Sequence, residues 1–321
     1  FLRRLKAKFK GEPPAAPRSS PFFDPLGDQF IRLPRTGRPR AADLPDADVL
    51  VATFWNTAEH VAALPERKGA KAYFMQDYGA AGQPLEEVQK TWALGLKMIT
   101  ISRYLQSEVE RISGAKSILV HNGVEPSFLA SNRREFRDGP PAVGFLYSTN
   151  AMKGSRDCIA AAARARETIP DLRVLSFGPK APAGATKMPS WIDFRARVSE
   201  AEARAIYAAC DAWLFGSIRE GFGLPILEAM AARTPVIAAR SAAAPDLLIN
   251  GGGRLVPIGD PEAMAAAIIE ICKLTPNDWL SLSEAAFKTA SDFSIDTARA
   301  RFEDALYAIA EGRFEEAARA A

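Results

Sequence analysis

An α/β protein built from two Rossmann-like, doubly wound domains facing a central cleft is the fold this sequence predicts, and three observations predict it. Short apolar runs alternate with helical stretches along most of the chain. That alternation breaks once, at the polar stretch 132–141, and then resumes as a second series. The 321 residues, 48% hydrophobic and 25% charged, suffice for two domains with sizeable cores. The expected boundaries are 1–138 for the first domain, 139–290 for the second, and 291–321 for a closing helical segment that packs back on the first.

The chain opens with a basic, proline-rich segment, residues 1–40, which holds ten Lys or Arg against three acidic residues although the whole chain is only +3. Phe1, Leu2, Leu5 and Phe9 fall on one helical face, with Arg3, Arg4, Lys6, Lys8 and Lys10 around the rest. Such a helix can lie on an anionic bilayer, and a solvated basic helix is the alternative. Residues 11–40, rich in Pro and Arg, read as loop rather than core.

Strands are expected at 48–54, 71–76, 97–102 and 117–122, with helices at 85–95 and 103–112 between them. This is half of a doubly wound sheet. After the polar break, strands at 142–148, 172–178, 192–198, 212–217, 235–240 and 253–258 complete the second domain. Its helices carry start signals, including a capping box from Ser199 to Glu202 and Asp260-Pro261 ahead of an apolar run. The cleft between the two domains is the expected site. No run of 18 apolar residues and no signal peptide is visible, so a spanning segment is not expected. Cys158, Cys210 and Cys272 lie far apart without C-x-x-C spacing, which suggests neither zinc nor a disulfide framework and fits a reducing cytoplasm.

Residues 217–232, SIREGFGLPILEAMAA, carry the chemistry. They follow an apolar strand, and Pro225 falls in the first turn of the next helix, where it has no N–H to lose. The N–H groups opening that helix lack intrahelical partners and sit at the positive end of its dipole, so a phosphate placed there is stabilised. Gly221 and Gly223 let the backbone approach a ligand closely. Glu220 precedes the turn and can accept hydrogen bonds from hydroxyls beyond the phosphate, while Glu228 lies about one helical turn in and can take a vicinal diol such as ribose. A diphosphate with sugars at both ends is the shape of a nucleotide sugar. The plain alternative is an amphipathic helix with a solvated glutamate, but Gly-Phe-Gly-Leu-Pro gives Glu220 no structural task.

The pattern S-x-x-E-G-F-G-L-P-x-x-E-A-M-A resembles the signature of retaining glycosyltransferases of the GT-B fold, family 4. The resemblance implies that Glu220 contacts the transferred sugar, that Glu228 holds the nucleotide ribose, and that the amides of Gly221, Phe222, Gly223 and Leu224 bind the diphosphate. His121-Asn122-Gly123-Val124 is similar to the turn that closes the first domain in this family, Lys153-Gly154 to its diphosphate lysine, and Phe293-Ser294 to the start of its closing helix. KAYFMQDY (71–78) and ITISRYL (99–105) resemble the subgroup associated with rhamnan and other bacterial surface polysaccharides. The likeness runs from Asp46 to the C-terminus. It implies a cytoplasmic hexosyl transfer without metal or other cofactor, from a UDP-, GDP- or dTDP-linked sugar to a glycan or lipid-linked acceptor in surface-polysaccharide synthesis. Peripheral contact with an anionic membrane through residues 1–10 would fit, and no nucleic-acid partner is implied. Family members open with a strand, a glycine-rich turn and a helix, so the first domain is expected to be incomplete in this chain.

Lys153 follows the strand AVGFLYS, where an ammonium can neutralise leaving-group charge. The arginine usual five residues earlier is Ser148, leaving Arg156 or Arg219 as substitutes. Where many relatives place a histidine this chain has Gln76-Asp77; Asp77 can orient an acceptor hydroxyl or accept its proton, or it can cap a turn. His60 and His121 read as structural. Asp46-Ala47-Asp48 resembles a metal-binding D-x-D but precedes a strand instead of following one, and reads as loop. Arg197 and Val198 lie in the loop that in relatives borders the nucleotide base, although Arg197 could equally be a surface charge. Two rival functions use the same cleft: an epimerase turning over the nucleotide sugar alone, and a non-catalytic scaffold that only binds it.

Overall fold

The computed structural model describes residues 23–30, 38–79, 84–130, 135–180 and 188–320. The chain divides into two compact units, Phe1–Leu44 and Pro45–Ala321. In the first, short 3-10 turns form at Asp24–Gln29 and Ala41–Asp43, and the rings of Phe23 and Phe30 stack at 4.5 Å. The basic apolar-faced helix expected over residues 1–10 lies outside the described residues.

The second unit contains two parallel sheets. The first is made of β1 (Val49–Ala52), β2 (Ala70–Met75), β3 (Lys97–Thr100) and β4 (Ser117–Leu119), hydrogen-bonded in that sequential order. Between them run α1 (Trp55–Ala62), α2 (Leu85–Lys90) and α3 (Arg103–Ser113), and the short α4 (Pro126–Leu129) follows β4. The helix expected over 85–95 ends at Lys90 and tightens into a 3-10 turn at Thr91–Ala93, whose Trp92 is buried. The Ser102 hydroxyl caps α3 by accepting from the Leu105 amide at 3.2 Å, and Gly114 ends it in the left-handed conformation.

The second sheet holds β5 (Ala142–Leu146), β6 (Arg173–Gly178), β7 (Ile192–Ala196), β8 (Ala212–Phe215), β9 (Val236–Ala239) and β10 (Gly253–Val256), in the spatial order β10-β9-β8-β5-β6-β7. Every residue of β8 and β9 is buried, as parallel strands covered on both faces require. The covering helices are α5 (Ser155–Thr168), α6 (Glu200–Ala208), α7 (Leu224–Ala231), α8 (Ala244–Leu247), α9 (Pro261–Cys272) and α10 (Pro276–Asp292). Ser199 and Glu202 form the expected capping box at α6, and Asp260 caps α9. From β5 the chain winds outward through β6 and β7, then returns to β5's other side as β8. The loops leaving β5 and β8 therefore diverge, which is the topological switch point where α/β sheets open a crevice for ligands.

The closing segment is α11 (Ile295–Ala310) and α12 (Phe314–Ala320). Ala305, Ile309 and Phe314 are buried against Ala72, Ile99 and Ile118 of the first sheet. This return is anchored by backbone bonds: the Val124 amide donates to the Phe293 carbonyl at 2.8 Å, and the Ile295 amide to the Val124 carbonyl at 3.0 Å. One apolar core joins Met75, Met98 and Leu105 of the first half with Phe222, Ile226 and Trp213 of the second. All three cysteines are free and buried. Among the described residues no helix is long and apolar enough to cross a membrane.

Candidate functional site

At the switch point the two diverging loops touch backbone to backbone. Gly154, left-handed at φ +63°, and Gly216 face each other so closely that a Cβ on Gly154 would overlap the Gly216 carbonyl. The loop after β5 ends in a 3-10 turn, Ala151–Lys153, capped by Asn150, whose side-chain oxygen accepts from the Met152 amide at 3.0 Å. The Ile218 amide donates to the Met152 carbonyl at 2.8 Å, which ties this turn to the loop after β8. That tie brings the Lys153 ammonium to 2.6 Å from Glu220 Oε1, while the Ser217 hydroxyl donates to Glu220 Oε2 at 2.9 Å. The sequence presents Glu220 as a free acceptor for ligand hydroxyls; in the structure both its oxygens are engaged, because the carboxylate has a cation within reach.

The helix opening is built as expected. Gly223, at φ +98°, caps α7, and Pro225 lies in its first turn. Among the described residues, the amides of Gly221, Phe222, Gly223 and Leu224 meet no acceptor. Glu228 sits one turn further, where the Tyr207 hydroxyl donates to its Oε2 at 2.6 Å. Tyr207 is held in place by the core: it is fully buried, with its ring 4.3 Å from that of Trp213 and 5.6 Å from that of Phe177. Burial pushes the Glu228 carboxyl above the usual carboxylate range; the Tyr207 hydrogen bond pulls the other way, and Glu200 adds a small upward push.

The first half reaches into the same place. Gly221 lies against the Gln76–Asp77 backbone with no space for a Cβ, and the Ser102 hydroxyl donates to the Gly221 carbonyl at 2.8 Å. Phe222 is 3% exposed and packs edge-on near His121, at 6.2 Å between ring centroids. His121 Nε2 lies 3.2 Å from Asp246 Oδ2, which also accepts from the Arg103 amide at 3.0 Å. The Arg219 guanidinium lies over the Tyr78 ring at 5.1 Å. A cavity of about 540 Å³ opens beside this junction, lined among others by Phe74, His121, Leu224, Glu228 and Phe302.

The structure thus brings together Glu220, Lys153, the Gly221–Leu224 amides and Glu228, with half-buried Asp77 against Gly221 on the facing side. Arg197 is exposed and left-handed at φ +54°, with its amide donating to the Gly178 carbonyl at 2.9 Å, and Val198 is half-buried at the edge of the core. Ser148 serves its own loop: its amide donates to the Ser155 hydroxyl at 2.9 Å, and its hydroxyl accepts from the Asn150 amide at 3.1 Å. Asp46 pairs with Lys68 at 2.6 Å. Sequence reasoning missed Tyr207, Ser102 and Asp246. Ser102 was findable as a serine immediately ahead of a helical pattern, whereas nothing near Tyr207 or Asp246 in the chain announces their partners.

Residues 140–273 match the family model for glycosyl transferases group 1. That segment contains Lys153, Glu220, the open amides and Glu228. The chain is 30% identical over 95 residues to the O-antigen chain mannosyltransferase B of Escherichia coli, covering 30% of this chain and 24% of that protein. With the putative glycosyltransferase EpsD of Bacillus subtilis it shares 29% identity over 170 residues, 50% of this chain and 43% of the relative. It spans less than half the length of these curated relatives. Among solved structures, Anabaena HepE in complex with UDP and glucose superposes with a TM-score of 0.65 at 17% identity, over 81% of this chain and 78% of HepE. The fold is GT-B.

Proposed function

We propose that the chain is a retaining glycosyltransferase that moves a hexose from a nucleoside-diphosphate sugar to a glycan or lipid-linked acceptor in bacterial surface-polysaccharide synthesis. One observation carries the reading: at a single switch point, a lysine ammonium paired with Glu220 accompanies four amides that meet no acceptor among the described residues, and the carboxylate of Glu228 lies one helical turn further. The match of residues 140–273 to glycosyl transferases group 1 supports it. So do the mannosyltransferase relative and the UDP and glucose held by HepE.

In this reading the diphosphate enters against the Gly221 to Leu224 amides and draws Lys153 off Glu220. The freed carboxylate then accepts from hydroxyls of the transferred sugar, and Glu228 accepts from the ribose diol. The bond from the sugar's anomeric carbon to the diphosphate breaks, leaving the electron pair on a phosphate oxygen beside the Lys153 ammonium and the amides. The acceptor oxygen bonds to that carbon on the same face, and Asp77 orients the acceptor hydroxyl or takes its proton. Positioning and preorganised charge supply the catalysis, and the reaction is metal-independent. Arg197 and Val198 border the nucleotide base. The enzyme works at the cytoplasmic face of the membrane, which it touches through residues 1–10.

The test is incubation with UDP-, GDP- and dTDP-sugars, with and without membrane extract, for wild type and Glu220→Ala. The expected outcome is donor consumption that needs the extract and falls at least about 100-fold in the variant, at an unchanged melting midpoint. Turnover of donor alone would indicate isomerising chemistry, and near-normal transfer by Glu220→Ala would remove Glu220 from the mechanism.

A further inference from the structure

We infer that Ser102, a residue of the first half, is a positioning residue for phosphate binding by the second half, because its hydroxyl sets the orientation of the Gly221–Phe222 peptide. The inference rests on the nucleotide-sugar reading of the site.

Ser102 is fully buried, and its hydroxyl has two roles. The oxygen accepts from the Leu105 amide at 3.2 Å, which caps α3, and its proton goes to the Gly221 carbonyl at 2.8 Å. The chain contains no cis peptide among the described residues, so in the planar unit joining Gly221 to Phe222 the carbonyl and the N–H point in opposite directions. Fixing the Gly221 oxygen on Ser102 therefore fixes the Phe222 N–H away from Ser102. That N–H belongs to a residue 3% exposed and has no protein acceptor among the described residues, which leaves it able to take a water or a phosphate oxygen.

Among the described residues no other hydrogen bond fixes this peptide. Gly221 has no side chain to restrain it, and the Gln76–Asp77 backbone presses on it closely enough to forbid any Cβ. Rotating the peptide would turn a carbonyl oxygen, instead of an N–H, toward an incoming phosphate. One hydroxyl of the first half thus decides whether the second half presents a donor or an acceptor at this point. Since the same hydroxyl caps α3, the phosphate grip is complete only where the first half is folded and seated against the loop.

A cap and a positioning group are separable because glycine is a tolerable N-cap and alanine is not: replacing a capping Ser by Gly costs a helix little, whereas replacing it by Ala costs more. Wild type, Ser102→Ala and Ser102→Gly are titrated with UDP, GDP and dTDP by calorimetry, and their melting midpoints are measured without ligand. Both variants are expected to lose about tenfold or more in affinity for the nucleotide that wild type binds, as loss of a charge-assisted amide bond requires, although Ser102→Ala melts lower than Ser102→Gly. If Ser102→Gly keeps its affinity within about twofold of wild type, so that affinity follows the cap alone, the positioning role is wrong and the nucleotide-sugar reading stands. If wild type binds none of the three nucleotides, that reading fails and the inference falls with it.

Discussion

The two halves of this molecule are both parallel α/β layers, yet they are wound differently, and the difference assigns them different work. In the second half the chain leaves β5 one way and returns on its other side, so two loops part above the sheet and leave backbone donors facing a gap. In the first half the four strands follow one another in order, and their loops all lean the same way. What the first half contributes is contact with the loop of the second: the Ser102 hydroxyl on the Gly221 carbonyl, the Gln76–Asp77 backbone on Gly221, and Tyr78 beneath Arg219. In the proposed reading one half grips the diphosphate and the other sets the shape of the grip.

Removing the cation from the grip should break this division most severely. Lys153 lies 2.6 Å from Glu220, and in the proposed reading its ammonium neutralises the departing diphosphate. Lys153→Ala should lower the rate of transfer at saturating donor by about 100-fold or more, the scale found when one preorganised electrostatic group is deleted, with little change in melting. A loss below about threefold would mean that the amides alone bear the leaving group, and that the ammonium serves only to hold Glu220.

Next in size is the pH response at Glu228, which sharpens the contrast because the hydrogen bond to this carboxyl comes from Tyr207 of the second half. Burial holds its pKa above the ordinary value, and the Tyr207 hydrogen bond partly offsets that rise. In the proposed reading a ribose diol donates to the ionised form. Nucleotide affinity should therefore be full at neutral pH and fall as the pH drops through the raised value, earlier than an ordinary glutamate would allow. Tyr207→Phe removes the bond that favours ionisation, so its affinity should begin to fall at a higher pH than that of wild type. Calorimetric titration of UDP between neutral and mildly acidic pH measures this, and a midpoint that moves to lower pH in Tyr207→Phe would contradict the role of the hydroxyl.

What could be read from the chain, and what could not, follows the same physical divide. Runs such as AWLF and VIAA announce buried parallel strands because every one of their residues is apolar, and β8 and β9 are buried throughout. The helix opening was legible because Gly223, Leu224 and Pro225 are contiguous and each has a local conformational reason. The partners of the site residues were not. Glu220 meets a lysine 67 positions away, Glu228 a tyrosine 21 away, and Gly221 a serine 119 away. Such pairs are decided by how sheets stack, and no period in the sequence encodes them. His121 read as structural on its own; it lies between Asp246 and Phe222 and also lines the cavity that contains Glu228, which its neighbours in the chain do not indicate.

The smallest expected effect belongs to the ring under Arg219, and it tests whether the first half acts through more than Ser102. Arg219 immediately precedes Glu220, so any restraint on its guanidinium limits where the carboxylate can move once Lys153 turns to the diphosphate. Tyr78 supplies that restraint through its face, at 5.1 Å, while its hydroxyl donates to Glu108 at 2.6 Å. Burial and the Glu108 carboxylate push the Tyr78 phenol up to about 12, so the ring stays neutral, and this contact should not vary with pH across the neutral range. Tyr78 is buried, but the Arg219 guanidinium over it belongs to a half-exposed residue, and a cation that keeps solvent contact gains about 0.5–1 kcal/mol from a ring face, hence Tyr78→Leu should change donor kcat/KM by about threefold. Tyr78→Phe keeps the face and loses the hydroxyl's bonds to Glu108 and Gln89, so it should transfer at nearly the wild-type rate even if it melts lower. The order of the two variants is the informative result: if Tyr78→Phe is impaired as much as Tyr78→Leu, the first half acts on the Glu220 loop through the Glu108 network and the stability of α3, and the ring face has no part in it.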